Sequence, residues 1–582
     1  KDFWRIYNSV INRNKSFIPA LINDDAPMAT TSAEKAELLS KAFAKNSTLD
    51  DGGQNPPPFS SRTKEAFTLP AISVKLVKKV IAGLDSSKSC GPDGIPVVVF
   101  KQLSPELAPV LTKLFKKCVS VGEFPSCWKI ASVVPVPKKG CDSSLPSSYR
   151  PISLLPIAGK IFEAIINQSL VKFLETNKLL SDLQYGFRHS RSTADLLSYV
   201  TEHVSRILDR QGETRSVALD ISKAFDKVWH KGLLTKLISY GIDGHLYQLL
   251  ASFLKDRQIS VVLDGQRSST RSTNAGVPQG SILGPTLFLL YINDLPDNMI
   301  SKLVMYADDT TLFNSTERKT DSAQRQRLCD VLNADLQTIA EWGSKWQVSF
   351  NSSKTQSILF SRSKGDGVQR DLHMLDATLE ECDTISLLGL TVSSDLSWKP
   401  YIQSISNQAS QRIGCLYRAS RYLPPQTILY LYKSTIRPLM EYCCHLWAGA
   451  PKTHLDLLEK VEKRAKNLTG PELANELQPL STRRNVASLS LFYRYYFGKS
   501  SSGVSESVPK PKVFSRSTRR ANSLTCYHVN QDRIRTESRS SSFFVRTAKL
   551  WNQLPLTCFP DQYNLGSFKR RVNRFLKDQA NP

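Results

Sequence analysis

The chain has 582 residues, 41% of them hydrophobic and 22% charged, with 77 Lys and Arg against 52 Asp and Glu and a net charge of +25. This composition reads as globular, with core enough for about three or four domain-sized units. No apolar run approaches the ~18 residues of a membrane span, and eleven cysteines without a CxxC pair argue against a disulfide scaffold and for a reducing compartment. So large a positive surplus favours a polyanionic partner, nucleic acid above all.

Taken in chain order, residues 1–70 join a helix-like start (Phe3, Trp4, Tyr7, Val10) to a polar stretch through "GGQNPPPF", read as an N-terminal connector. The first residue is Lys1, with no signal peptide and no initiator Met, as expected of a piece of a longer reading frame. Residues 71–145 are expected to be an extension that begins the next domain. An amphipathic helix is predicted from Ile72, Val74, Leu76, Val77 and Val80, then a loop at "SKSCGPDGIP", two helices over 100–120, and a strand "IASVVPVPKKG" closed by a basic turn. Over 146–400 helices and strands alternate. "SVALDISKAF" reads as a strand, and "ISVVLDG" with "RSSTRSTNAG" as a hairpin. Residues 401–475 turn helical, with Gly470 as a stop after "HLDLLEKVEKRAKNLT". Residues 471–508 look mixed and Ser-rich. The region 476–582 becomes basic, with 15 Lys and Arg against 4 Asp and Glu from residue 510 onward. Its apolar anchors (Phe543, Phe544, Trp551, Leu554, Phe568, Phe575) predict a folded basic module, with Trp551 in a core rather than on a binding face. Cys443, Cys444 and His445 are consecutive and point in different directions, so buried thiols are expected there rather than a metal site.

One stretch asks for a chemical explanation. "MYADDTTLF" places Asp308 and Asp309 side by side between β-prone runs, at an expected hairpin turn, although adjacent like charges repel. "VALDISKAFD" puts Asp220 at the end of a strand far upstream. If the two strands are neighbours, three carboxylates meet, an arrangement suited to hard divalent cations with oxygen ligands. Two such ions about 4 Å apart activate a 3′-hydroxyl and stabilise the leaving pyrophosphate of an in-line displacement.

"SVALDISKAFDKVWH", "AGVPQGSILGPTLFLLYINDLP" and "MYADDTTLF" resemble motifs A, B and C of the reverse transcriptases of non-LTR retrotransposons (LINE elements). "SKSCGPDGIP", "SSYRPISLLPIAGKIFE" and "QYGFRHSRSTADLL" resemble that family's upstream motifs. "SFNSSKTQSILFSR" and "LLGLTVSSDLSW" resemble its motifs D and E, and "YKSTIRPLMEYCCHLWAGAP" and "FFVRTAKLWNQLP" are similar to jockey-type elements. The resemblance implies an α+β right-hand polymerase of fingers, palm and thumb, with fingers and palm over 146–400, a helical thumb over 401–475, and a basic C-terminal nucleic-acid-binding region.

Carried over motif by motif, it gives Asp220, Asp308 and Asp309 to two Mg²⁺ ions, with Mn²⁺ as the alternative, and Asp309 as the more peripheral ligand. Phe225 would be the aromatic under the incoming sugar that favours dNTP over rNTP; a ring that simply packs in the core is its competing role. Gln279 would reach the sugar or template base. Gly280 and its fellow glycines would let backbone approach the nucleotide. Arg188 and Lys138 would contact the triphosphate. Lys354 would protonate departing pyrophosphate as general acid. Asp226 matches a recurrent acid without an assigned role. The implied partners are template RNA, RNA–DNA duplex, target DNA and dNTPs, with no membrane, in a ribonucleoprotein of nucleus and cytoplasm. Nothing in residues 1–100 resembles the apurinic-type endonuclease that jockey-like elements carry. The alternative is a decayed copy that only binds RNA.

Overall fold

The computed structural model describes residues 18–23, 27–318, 320–363, 366–512, 526–531 and 533–580. The helix-like start at Phe3–Val10 lies outside them. The chain divides into two compact units of discontinuous segments. One holds Lys1–Ser181, Ile221–Asp297 and Ile339–Phe350; the other holds Asp182–Asp220, Asn298–Thr338 and Asn351–Pro582. Sheets and many helices make the whole a mixed α/β protein.

The first unit is built on a five-stranded sheet. Its Ile130–Pro137 strand falls where the sequence leads one to expect, and buries Ala131, Ser132, Val133 and Pro135. It pairs antiparallel with Tyr149–Leu154 and parallel with Arg257–Leu263. Leu263 and Gln266 close the expected hairpin around Asp264 and Gly265, both at positive φ, the conformation a two-residue turn demands. Ala131, Val133, Val261 and Leu263 are covered by the Ser32–Asn46 helix, which starts in a Thr31–Glu34 capping box and buries Leu39 and Phe43. That helix lies within the stretch read as a connector. Farther along the same stretch, Phe59 stands edge-on to Trp346 at 5.4 Å, and Arg62 pairs with Asp297.

The second unit is built on a four-stranded antiparallel sheet in the order Lys302–Tyr306, Asp309–Ser315, Thr214–Leu219, Gln356–Phe360. The Thr193–Asp209 helix contributes Leu196, Leu197, Val200 and Val204 to its core. The stretch that looked mixed and Ser-rich contains a long helix, Leu480–Tyr496. Its pattern is obscured because Arg484 and Ser488 are buried beside Val486, Leu489 and Phe492, with Arg484 paired to Glu459. Helices Phe543–Trp551 and Leu565–Ala580 pack on it, and Trp551 and Phe568 are fully buried. The described helices of the C-terminal region share their core with the rest of the unit.

Three acids tie it down. Asp195, Glu202 and Asp209 recur every seven residues, on one face of the Thr193–Asp209 helix, and all are buried. Asp195 pairs with Arg494. Glu202 takes both ends of the Arg539 guanidinium at 2.5 and 2.6 Å. Asp209 accepts the Thr536 hydroxyl at 2.7 Å. Cys444 is buried as expected, Cys443 only half-buried, and the buried His445 bonds Ser198 at 3.0 Å. Among the described residues no helix is long and apolar enough to cross a membrane.

Burial pushes His203 down to about 4 and His445 to about 3 from an ordinary 6.5. Both are neutral in the fold, whereas the unfolded chain takes up their protons below about 6.5. Stability should therefore fall with pH from about 6.5 to about 4, each histidine contributing up to about 1.4 kcal/mol per pH unit. Urea unfolding of His203→Gln between pH 4 and 7 should show a correspondingly shallower slope than the parent protein.

Candidate active site

In the second unit the antiparallel register sets Leu219 opposite Thr310, so the next residue, Asp220, emerges beside the turn that carries Asp308 and Asp309. Tyr306 pairs with Asp309, leaving Ala307 and Asp308 as the two turn residues. Ala307 sits at φ +58, a left-handed conformation that costs a residue with a Cβ. The surrounding chain supports it. Gln184 is buried, and its side-chain oxygen accepts from the backbone N–H of Ala307 at 3.0 Å and of Gly186 at 2.8 Å. Met305 donates to the Leu183 carbonyl and accepts from Tyr185. A Cβ on Gly186 would stand 2.4 Å from the Ala307 nitrogen, so only glycine permits this approach.

Asp309 has an open face, yet its carboxyl is pushed up to about 6, first by the protein packed around it and then by the charges of Asp308 and Asp220. That coupling is the electrostatic signature of the crowding expected from the sequence. Among the described residues no group of three His, Cys, Asp or Glu is closed enough to hold a metal ion as it stands. The three carboxylates thus share one corner of the sheet without forming a preformed cage. Their all-oxygen donor set fits a hard divalent cation. Lys354 reaches the same corner, with Nζ 3.9 Å from Asp220 Oδ2. Its loop is fixed to the strand end where Asn351 donates to the Asp220 carbonyl at 2.8 Å. Arg188 lies on the buttressing segment, its guanidinium on the Gln184 carbonyl at 3.3 Å.

The first unit gathers the other candidates. Gln279 donates from Nε2 to Asp226 at 2.7 Å, and its carbonyl accepts from Ser153 at 2.7 Å. Gly276 and Gly280 have positive φ, and Cβ atoms there would stand 2.4 Å from the Asp226 carbonyl oxygen and 2.2 Å from that of Ser153. These glycines serve close backbone packing within the protein. Burial raises the Asp226 carboxyl, offset by the Gln279 bond and by the charges of Lys138 and Lys223. Lys138 itself donates to the Ser147 carbonyl at 2.8 Å. Phe225 is half-buried and stacks on Phe288 at 4.4 Å between ring centroids, so part of its role is packing.

Three contributors were visible in quoted motifs but had no assigned role: Gln184 and Gly186 in "QYGFR", and Glu163 in "GKIFE". Glu163 is buried and accepts from the Ser281 hydroxyl and the N–H groups of Ile282 and Leu283, which locks the loop that follows Gln279. A carboxylate and a glycine at fixed places in such a motif are the signals that mark them.

Residues 136–392 match the family model of reverse transcriptase (RNA-dependent DNA polymerase). Over these residues the chain is similar to reverse transcriptases. It is 31% identical over 427 residues to the RNA-directed DNA polymerase from mobile element jockey of Drosophila funebris, covering 71% of this chain and 45% of that protein. It is 28% identical to the probable RNA-directed DNA polymerase from transposon BS of Drosophila melanogaster, covering 68% of this chain and 44% of the relative. A third relative, the Pol polyprotein from the type-1 retrotransposable element R1 of Bradysia coprophila, is 27% identical over 62% of this chain and 35% of its own length. The chain spans about half the length of the first two of these relatives.

The buttress makes a specific demand. Gly186→Ala should drive the Ala307–Asp308 turn away from Asp220 and cost about 1–3 kcal/mol in urea unfolding, because the added methyl has no room beside the Ala307 nitrogen. Circular dichroism should show the fold retained. Gln184→Ala, which leaves the Ala307 N–H without its partner, should cost about 1–3 kcal/mol in urea unfolding.

Proposed function

We propose that this chain is the RNA-directed DNA polymerase of a non-LTR retrotransposon, copying element RNA into cDNA from a primed 3′ end by two-metal nucleotidyl transfer. The observation that carries the reading is the register that sets Asp220 beside Asp308 and Asp309. Reverse transcriptases depend on divalent metal as a family, and bind template RNA and nucleotides. The specific reading is that Asp220 and Asp308, with Asp309 more peripheral, hold two Mg²⁺ ions, which supply Lewis acidity at the 3′-hydroxyl and at the leaving oxygen.

The protein's own residues then have four tasks. Asp220 and Asp308 fix the position of the reacting phosphate relative to the sheet. Lys354, beside Asp220, delivers a proton to pyrophosphate. Gln279, held by Asp226, contacts the sugar or template base, while Phe225 limits space at the sugar 2′ position. Arg188 and Lys138 contact the triphosphate. We assign the palm to the four-stranded sheet within residues 146–400, the thumb to helices of 401–475, and the contact with template RNA or target DNA to the basic region 476–582. An element-encoded polymerase of this kind works as a ribonucleoprotein in cytoplasm and nucleus. A decayed copy that only binds RNA is disfavoured, because loss of selection would not spare the acids and their buttress together.

Purified protein should extend a DNA primer on an RNA template with dNTPs and Mg²⁺. Asp308→Asn should lower that rate by about a thousandfold or more, as expected when charge stabilisation of the transition state is lost, with an unchanged circular dichroism spectrum. Synthesis that persists in Asp308→Asn would sink the metal assignment. Phe225→Ala should raise rNTP use relative to dNTP by about tenfold or more; an unchanged ratio would leave Phe225 with its packing role alone.

A further inference from the structure

Between Lys399 and Met440 the sequence carries Lys399, Arg412, Arg418, Arg421, Lys433 and Arg437 and not one Asp or Glu. The stretch folds as a helix, Lys399–Ala419, a short turn, and a second helix, Pro425–Leu431. Its inner face buries Ile405, Ala409, Ile413, Leu416, Ile428 and Leu429. The opposite face is unusual in holding aromatic rings. Tyr417, Tyr422 and Tyr430 are 60%, 85% and 67% exposed, the most exposed tyrosines among the described residues. Single exposed aromatics need no explanation, but three within fourteen residues of one helical hairpin, in a stretch without negative charge, do.

The cations divide by their engagements. Lys433 is paired with Glu476, Arg437 with Glu441 and Arg412 with the Thr435 carbonyl, whereas Arg418, on the Cys415 sulfur at 3.3 Å, and Arg421 are exposed and lie between Tyr417 and Tyr422. Arg418 and Tyr422 are four residues apart, as are Tyr417 and Arg421, the spacing of neighbours around a helix end.

We propose that Tyr417, Arg418, Arg421, Tyr422 and Tyr430 form a stacking platform for an unpaired stretch of nucleic acid. The assignment rests on the polymerase reading above and deepens it by naming the form of nucleic acid this surface takes. Duplex bases already stack on one another and present phosphates and groove edges, so exposed tyrosine rings gain little from them. Unpaired bases offer free π-faces, and a ring beside a guanidinium serves both the base and its phosphate. A single-stranded template ahead of a duplex and a displaced DNA strand present the same chemistry.

The test compares four proteins, all full-length. These are Tyr417→Ala/Tyr422→Ala/Tyr430→Ala, the matching triple Phe, Arg418→Gln/Arg421→Gln, and the parent as control for folding. Fluorescence anisotropy is read with 20-nucleotide single-stranded RNA, single-stranded DNA and a blunt RNA–DNA duplex. The triple Ala variant should bind single strands about tenfold or more weakly, and the blunt duplex nearly as well as the parent. The triple Phe variant should stay close to the parent. The double Gln variant should show a salt dependence on single strands shallower by about one to two logarithmic units per decade. The RNA and DNA arms show which strand is preferred. Equal losses on duplex and single strands, no loss at all, or a parent dimer that the triple Ala variant converts to monomer with unchanged affinity would each overturn the platform. A parent protein that neither binds nor extends a primed template would instead overturn the polymerase reading.

Discussion

The pairing of the Thr214–Leu219 strand with Asp309–Ser315 is the constraint on which the site depends. Antiparallel neighbours in a sheet bring residues distant in sequence within a few ångströms at defined positions. Here the register ends with Leu219 opposite Thr310. One residue of slip would turn Asp220 to the opposite face. The sheet also holds the carboxylates together against their own repulsion, which adds to burial in raising the Asp309 carboxyl. The strain of the Ala307 turn is met by Gln184 and by a glycine-only approach at Gly186, so a second segment of the same unit enforces the geometry the strands define.

A similar logic governs the rest of the second unit. A basic C-terminal region could have been a separate appendage. Instead Asp195, Glu202 and Asp209 present one acidic stripe to it. Arg494, Arg539 and Thr536 satisfy that stripe while Phe543, Trp551 and Phe568 supply the apolar burial. Buried charges of this kind are costly when unpaired and near neutral when paired. They therefore act chiefly to specify which surface docks where, and the aromatic cluster supplies most of the cohesion. Much of the region's positive charge that looked available for a polyanion is thus spent inside the protein, as at Arg539, Arg546 and Arg494. Exposed cations remain on the last helix, at Lys569, Arg570, Arg574 and Lys577, and outside it, at Lys499, Lys510, Arg533, Arg535 and Lys549.

In the first unit the loop after Gly276 is held from three sides: by Asp226 on Gln279, by Ser153 on the Gln279 carbonyl, and by Glu163 on Ser281 and the two amides beyond it. None of these holders stands out in composition or periodicity, since each is a single side chain in its own short segment.

The sequence alone determined the local elements: the hairpin carrying Asp308 and Asp309, the strand ending at Asp220, the Asp264–Gly265 turn and the Gly470 stop. These are set by alternation, turn chemistry and glycine geometry acting over a few residues. It also marked the family, because the motifs are runs of adjacent residues. What only the tertiary structure decided is who supports whom. Gln184 beneath Ala307, Asp226 against Gln279, and the seven-residue acidic stripe under the C-terminal helices are pairings across tens to hundreds of residues. The Leu480–Tyr496 helix escaped for the same reason: its buried Arg484 and Ser488 blur the apolar stripe by which a helix is recognised. Such partners are chosen by burial and desolvation, which no local pattern records.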